Sequence, residues 1–492
     1  MLIINTFINL IQEKFMLMKK MTLLMVGFCA FMNAQFTSPN NGTNYTLTSL
    51  SAAAPTVLVK NGSSYTMTAD ITISANDKLT IDENATMLVD AGKALFVYGG
   101  YNTTATNFVV SASDIASPFK GIQFEIGSLV EMKNTTVEYG GGVRVLTDNF
   151  LMDNCIIRKN TTGVATNGAV SLFRGSPVIK NSQFIENSRS GIASGTSSGV
   201  SVTIENNYLF GNNTANANSP QINIGMSISD SVKIINNTVI GNRSLTKVGG
   251  IGVSMLTGGS TRFRIEGNTV RDNRYGVTTI GGGASGIIKN NILENNDAEI
   301  NPNDGGSGIS VYAAQNIIIR NNQIRGNLWG VTVLSGGTLD LGTESDQGNN
   351  IFKNNANNGN TVAFFNNTPN QVNAVGNCWR EDEASTDAMV EAVIGSLNPN
   401  TVSYKPYNCA ALAVSDVSKS AVKIFPNPSK NHFFMETENA GNIVIQDMSG
   451  KVVFSSIVNK GRNEIKTNLQ SGIYIITHHA EGQKSNTKLI IK

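Results

Sequence analysis

A nine-residue pattern recurs through the middle of this chain, and its period restricts the fold more than any other feature. The clearest copies are "IENNYLFGN" from Ile204, "IINNTVIGN" from Ile234, "IKNNILENN" from Ile288 and "IRNNQIRGN" from Ile319. "MDNCIIRKN" (Met152), "IKNSQFIEN" (Ile179) and "IEGNTVRDN" (Ile265) follow the same pattern, with weaker copies at Met132, Gln347 and Ala374. The third positions are Asn134, Asn154, Asn181, Asn206, Asn236, Gly267, Asn290, Asn321, Asn349 and Gly376, spaced by 20, 27, 25, 30, 31, 23, 31, 28 and 27 residues. A period of this size, with two-residue alternation inside it, predicts a solenoid in which each repeat closes one coil.

Each position has its own physical reading. Position one is Ile or Met in the clear copies and faces inward, whereas position two carries charge (Asp153, Lys180, Glu205, Glu266, Lys289, Arg320) and faces outward. Position three is Asn or Gly only, the two types that enter left-handed backbone angles most easily, so it is a corner. Position four is small or an amide and never charged, which suits an inward site. Position six is apolar and inward; position nine, Asn or Gly again, reads as a second corner. Third short runs such as "GGIGVSM", "YGVTTI" and "WGVTVL" follow the second corner. Three short strands per turn predict a parallel β-helix with coils about 4.8 Å apart. At that spacing the amides of Asn207, Asn237, Asn268, Asn291, Asn322 and Asn350 reach one another, and a continuous ladder avoids the roughly 1–3 kcal/mol cost of each unpaired buried amide.

With these repeats, residues 35–410 resemble the right-handed parallel β-helix repeat proteins, which include pectin and alginate lyases, polygalacturonases and many surface proteins. "DITISANDKLTIDENATMLVDAGKALFVYGG" fits the N-terminal coils of that superfamily, and the segment from "AVGNCWRED" to "SYKPYN" fits its closing end. The expected fold is all-β: a parallel β-helix followed by a small antiparallel sandwich.

The two ends of the chain speak of export. Lys19 and Lys20 precede the short apolar run "MTLLMVGFCAFM", so residues 1–34 read as a signal peptide cut near Ala34. Bulky Phe28 before Cys29 argues against lipidation, and no later segment is apolar for long enough to cross a membrane. An exported chain forms disulfides, so Cys378 and Cys409 are expected to pair across a closing loop, while Cys155 belongs to position four. Residues 411–421 are a polar linker. Residues 422–492 then show alternating strands with turns at Asn427-Pro428, Ser449-Gly450 and Ser471-Gly472. Pro426-Asn427-Pro428, Asp447 with Gly450-Lys451, Gly472-Ile473-Tyr474 and the terminal "KLIIK" resemble the C-terminal sorting domain of type IX secretion cargo. That resemblance implies the type IX machinery as a partner, and a protein released or held at the outer surface.

Composition excludes some functions of the solenoid. A net charge of +2 gives no case for nucleic acid as a partner. The 3 histidines are His432, His478 and His479, so the solenoid has none, and it has no Asp-Asp pair for hydrolysis of the polygalacturonase type. One outward column does carry charge: Arg271, Glu294, Arg325 and Lys353 at position seven, beside Lys289 and Arg320 at position two. Tyr275 and Trp329 fall at equivalent places two coils apart, about 10 Å. Together these resemble a platform for an acidic sugar chain, although the alternating signs fit an ion-pair ladder better. Ile185, Phe210 and Ile240, with Tyr208 and Ile235, form an apolar patch over which the insert "NTANANSP" is expected to fold. No cofactor is required; Asp297, Glu299 and Asp304 in one loop are candidate Ca²⁺ ligands. The chain reads as a secreted or cell-surface scaffold for glycans or a surface partner. The alternative is a polysaccharide lyase using Arg271, Glu294, Arg325 and Lys353 on a uronate substrate.

Overall fold

The computed structural model describes residues 35–228, 230–383, 385–396, 401–409, 422–447, 451–480 and 483–492. The expected signal peptide (1–34), the linker (411–421) and Gly450 lie outside these residues. The chain divides into two compact units, residues 1–409 and 410–492.

In the first unit each repeat makes one coil of three strands. In the coil of "IINNTVIGN" these are Val232–Ile235, Thr238–Ile240 and Ile251–Ser254. Equivalent strands stack in parallel register, Ile234 on Ile265 and Val239 on Val270, to build sheets of 12, 13 and 14 strands. The first sheet carries positions one and two, the second carries positions five to seven, and the third follows the second corner. The period-two alternation places one side chain of each pair in the interior. Ile204, Ile234, Ile265, Ile288 and Ile319 stack in the first sheet, and Leu209, Val239, Val270, Leu293 and Ile324 in the second, all at 0% exposure. Each such fully buried side chain contributes about 1.5–3 kcal/mol.

The corner at position three is left-handed in every copy, from Asn134 (φ 48°) through Asn236 (55°) and Gly267 (67°) to Gly376 (76°). The next residue turns inward. Each amide Nδ2 donates to the Oδ1 of the following coil: Asn207 to Asn237 (3.0 Å), Asn237 to Asn268 (2.9 Å), Asn268 to Asn291 (3.0 Å), and Asn291 to Asn322 (2.9 Å). The run goes on from Asn322 to Asn350 (2.9 Å) and from Asn350 to Asn377 (2.8 Å). Each Oδ1 also accepts from the backbone N–H of the preceding amide residue, as between Asn322 and Asn291 (3.0 Å).

Position nine is not the second corner. The left-handed residue is position eight in most copies, including Lys159, Glu186, Gly211, Asp272, Asn295, Gly326 and Asn354. Position nine is buried and forms a second ladder, Asn160 to Asn187 to Asn212, and later Asn273 to Asn296 to Asn327 to Asn355. The break comes at Asn242, which is exposed. Gln221 takes its place: Asn212 Nδ2 donates to Gln221 Oε1 (3.0 Å), and Gln221 Nε2 donates to Asn273 Oδ1 (2.9 Å). Asn serves equally as a corner residue and as an inward amide, so the letter alone did not separate the two roles.

Both ends of the helix are closed. At the N-terminal end, Asp77 is 1% exposed. It accepts from the Ser38 hydroxyl (2.5 Å) and from the N–H groups of Asn40, Asn41, Gly42 and Thr43 (2.7–3.0 Å). At the other end Trp379 stacks on Phe352, and Cys378 and Cys409 form a disulfide with their Cα atoms 4.3 Å apart. Cys155 is free and buried among the ladder positions, and burial pushes its thiol up to about 12.

The second unit is a pair of antiparallel sheets. Three strands (Val422–Phe425, His432–Thr437, Gly461–Lys466) form one, and four strands (Gly441–Asp447, Val452–Val458, Gly472–Ala480, Gln483–Ile491) form the other. Phe433, Met435, Ile443, Ile445 and Leu489 fill the core. Asn427 ties the segment between Pro426 and Pro428 to the last strand, donating to Lys488 O (2.6 Å) and accepting from Ile490 N (2.9 Å). Asp447 closes its turn by accepting from Lys451 N (3.1 Å), and the Tyr474 hydroxyl donates to Gln470 O (2.8 Å).

Candidate functional site

The charged column lies on the second sheet, where Arg271, Glu294, Arg325 and Lys353 align in register. Its cations have carboxylate partners. Arg325 makes two bonds to Glu381 (2.7 and 2.8 Å) and a longer contact with Glu294 (3.4 Å). Lys353 pairs with Asp382, and Arg271 with Asp272 (3.0 Å). The hydrogen bond that Arg325 donates to Glu381 raises its pKa, and the one that Lys353 donates to Asp382 raises the lysine pKa. Both shifts run against the neutral form that a proton-abstracting base needs.

The position-two residues stand on a different sheet, across the first corner from this column. Lys289 reaches Glu266 at 3.5 Å. Arg320, expected outward and open to a ligand, has a side chain only 7% exposed. The segment 340–346 crosses over it, and its guanidinium is consumed by Asp340, Asp346 and the carbonyl of Ile319. The candidate Ca²⁺ ligands do not converge. Asp297 binds Arg243 (2.7 Å), Glu299 accepts from Asn301 N (2.9 Å), and Asp304 accepts from Asn301 Nδ2 (2.6 Å). Among the described residues no group of three His, Cys, Asp or Glu side chains is placed to hold a metal ion. The apolar row Ile185, Phe210, Ile240 aligns on the second sheet and is half-buried. The insert expected to cover it instead bonds to residues just after the second corner, through Asn213 N to Arg189 O (2.8 Å) and Arg274 Nη1 to Asn218 Oδ1 (2.6 Å), and to the third sheet through Ser190 Oγ to Pro220 O (2.6 Å).

Tyr275 and Trp329 are brought together on the third sheet. Ser307 pairs with Trp329 in register, and Tyr275 sits one coil further back, so the two aromatics lie two coils apart on the same rim. They bound a groove of about 550 Å³ that crosses four coils. Its floor is the row Thr278, Ser310, Thr332 and Phe365, and its far side carries Ile280, Tyr312, Leu334 and Asn367. The wall is the loop 302–305. Trp329 Nε1 donates to Pro302 O (2.9 Å), and Arg274 Nε and Nη2 both donate to Asp304 O. The Trp329 ring rests against Phe365 with centroids 5.2 Å apart. Gly249 leaves room for Tyr275, since a Cβ there would stand 2.1 Å from the tyrosine Cζ. Sequence reasoning found the two rim aromatics but missed Arg274, Tyr312 and Phe365. Only the spacing of "YGVTTI", "SGISVY", "WGVTVL" and "TVAFF" hinted that these stretches share one face.

Stacked three-strand coils with an outward groove define the first unit as a parallel β-helix. Residues 56–244 match the family model described as right handed beta helix region, and residues 299–385 match a protein of unknown function (DUF1565). Residues 423–492 match the secretion system C-terminal sorting domain. Comparison with curated proteins finds no match. The chain is a right-handed parallel β-helix repeat protein carrying a type IX secretion C-terminal sorting domain. It is thereby directed to the secreted or cell-surface location. No helix among the described residues is long and apolar enough to cross a membrane.

Proposed function

We propose that the exported β-helix is a scaffold that binds a glycan outside the cell, along the groove of its third sheet. The observation that carries this reading is the pair Tyr275 and Trp329 on one rim of a groove that crosses four coils. Ligand sites combine an apolar, often aromatic lining with a few polar groups that fix orientation, and this groove has both. The ladders below it hold the outward residues in register, so the site is preorganised before a ligand arrives. A glycan array probed with residues 35–492 tests the reading. Binding that drops in Tyr275→Ala supports it, and an array with no signal overturns it.

A further inference from the structure

The groove also carries information about the charge of its ligand. Its one guanidinium, Arg274, is already spent on the carbonyl of Asp304 and the side chain of Asn218. No lysine lines the groove, and the Asp304 carboxylate is occupied by Asn301. The charges of Arg274 and Asp304, the one cation and the one carboxylate in the lining, offset each other, so a uronate or sulfate lying there would give up its hydration for no net positive charge, which is costly. The polar atoms that do lack a partner among the described residues are neutral. They are the hydroxyls of Tyr275, Thr278, Ser310 and Tyr312 and the side-chain amides of Asn303 and Asn367. Each can donate or accept, which matches a ligand made of hydroxyl groups. Tyr312 is 49% exposed, and its ring faces the groove opposite the Trp329 rim. The coil spacing of about 4.8 Å is close to the length of one sugar unit in an extended chain.

Resting on the glycan reading above, we propose that the groove takes a single extended chain of a neutral polysaccharide, laid along the helix axis with about one sugar per coil. This replaces the acidic chain expected from the charged columns, which stand on the other two sheets. The test is calorimetric titration of residues 35–492 with cello-, xylo-, manno- and laminari-hexaose and with hexagalacturonate, at low and high salt. The expected result is that at least one neutral hexaose binds with a Kd insensitive to salt. That affinity should fall at least tenfold in both Trp329→Ala and Tyr312→Ala. The second variant removes an exposed ring that no hydrogen bond of the fold needs, so it keeps the test sound if Trp329→Ala unfolds the wall. A salt-sensitive preference for hexagalacturonate would overturn the neutral class while leaving glycan binding standing. Neutral binding unchanged in both variants would remove the ligand from this groove. Failure of all five probes beside a positive glycan array would overturn this inference alone, and beside a silent array it would overturn both readings.

Discussion

The adjacent residues Asn321 and Asn322 are the same amino acid with opposite roles, and replacing each in turn gives a sharp test of the coil. Asn321 is exposed at the left-handed corner (φ 56°). Gly267 and Gly376 hold the same corner in other coils, so Asn321→Gly should change stability by no more than about 0.5 kcal/mol. Asn322 is fully buried. Its Nδ2 donates to Ile288 O (2.9 Å), Arg320 O (3.0 Å) and Asn350 Oδ1 (2.9 Å), and its Oδ1 accepts from both Asn291 N (3.0 Å) and Asn291 Nδ2 (2.9 Å). In Asn322→Ala the Asn291 backbone N–H loses its acceptor inside the core, which costs about 1–3 kcal/mol. The other lost bonds add about 0.5–1.5 kcal/mol each where their partners also stay unpaired, so the total should reach roughly 3–5 kcal/mol. Urea titration of the two variants measures the difference, and hydrogen exchange at Asn291 locates it. Equal effects of the two variants, or a cost for Asn322→Ala below about 1 kcal/mol, would refute the ladder as a source of stability.

Other perturbations follow from the same structure. Burial raises the Asp77 pKa, but hydrogen bonds from Ser38 and from the N–H groups of Asn40, Thr43 and Gly42 outweigh it and leave the carboxyl below its ordinary value. Its contribution is therefore present above the unfolded pKa and lost as pH falls through the folded one. Asp77→Asn should cost about 1.5–3 kcal/mol at pH 7, with the gap to wild type closing in acid; a gap independent of pH in urea titrations would contradict this. Incubation with polygalacturonate or alginate, with and without Ca²⁺, should yield no unsaturated product by absorbance, because Arg325 and Lys353 are held protonated by carboxylates. Product that disappears in Arg325→Ala would restore the lyase reading. Mutating Cys378 and Cys409 to Ser should cost about 3–4 kcal/mol, given their sequence separation of 31, read as a lower urea midpoint. Deleting residues 422–492 should strand the chain in the periplasm; its appearance in the medium would break the link between this domain and export.

Much of the coil was legible because the same residue types return at the same offsets. Alternation of apolar and polar residues placed the interior of each strand. The restriction of position three to Asn and Gly marked the left-handed corner. The uncharged run at position four marked the inward amides. Each of these signals is local, so each repeat stated it independently.

The order of residues already specifies the coil: its period, its first corner and which faces look inward, together with the separate C-terminal unit and its sorting motifs. The tertiary structure alone decided which outward residues are free and which meet. Arg320 reads as an open charge until the segment 340–346 crosses it. Gln221 enters the second ladder only because Asn242 leaves it and a longer amide takes its place. Arg274, Tyr312 and Phe365 line one groove, although 91 residues separate the first from the last. The physical reason is the same in each case. Coil stacking is set by short-range backbone geometry that every repeat carries, whereas the cover over a coil depends on inserts that differ from one repeat to the next.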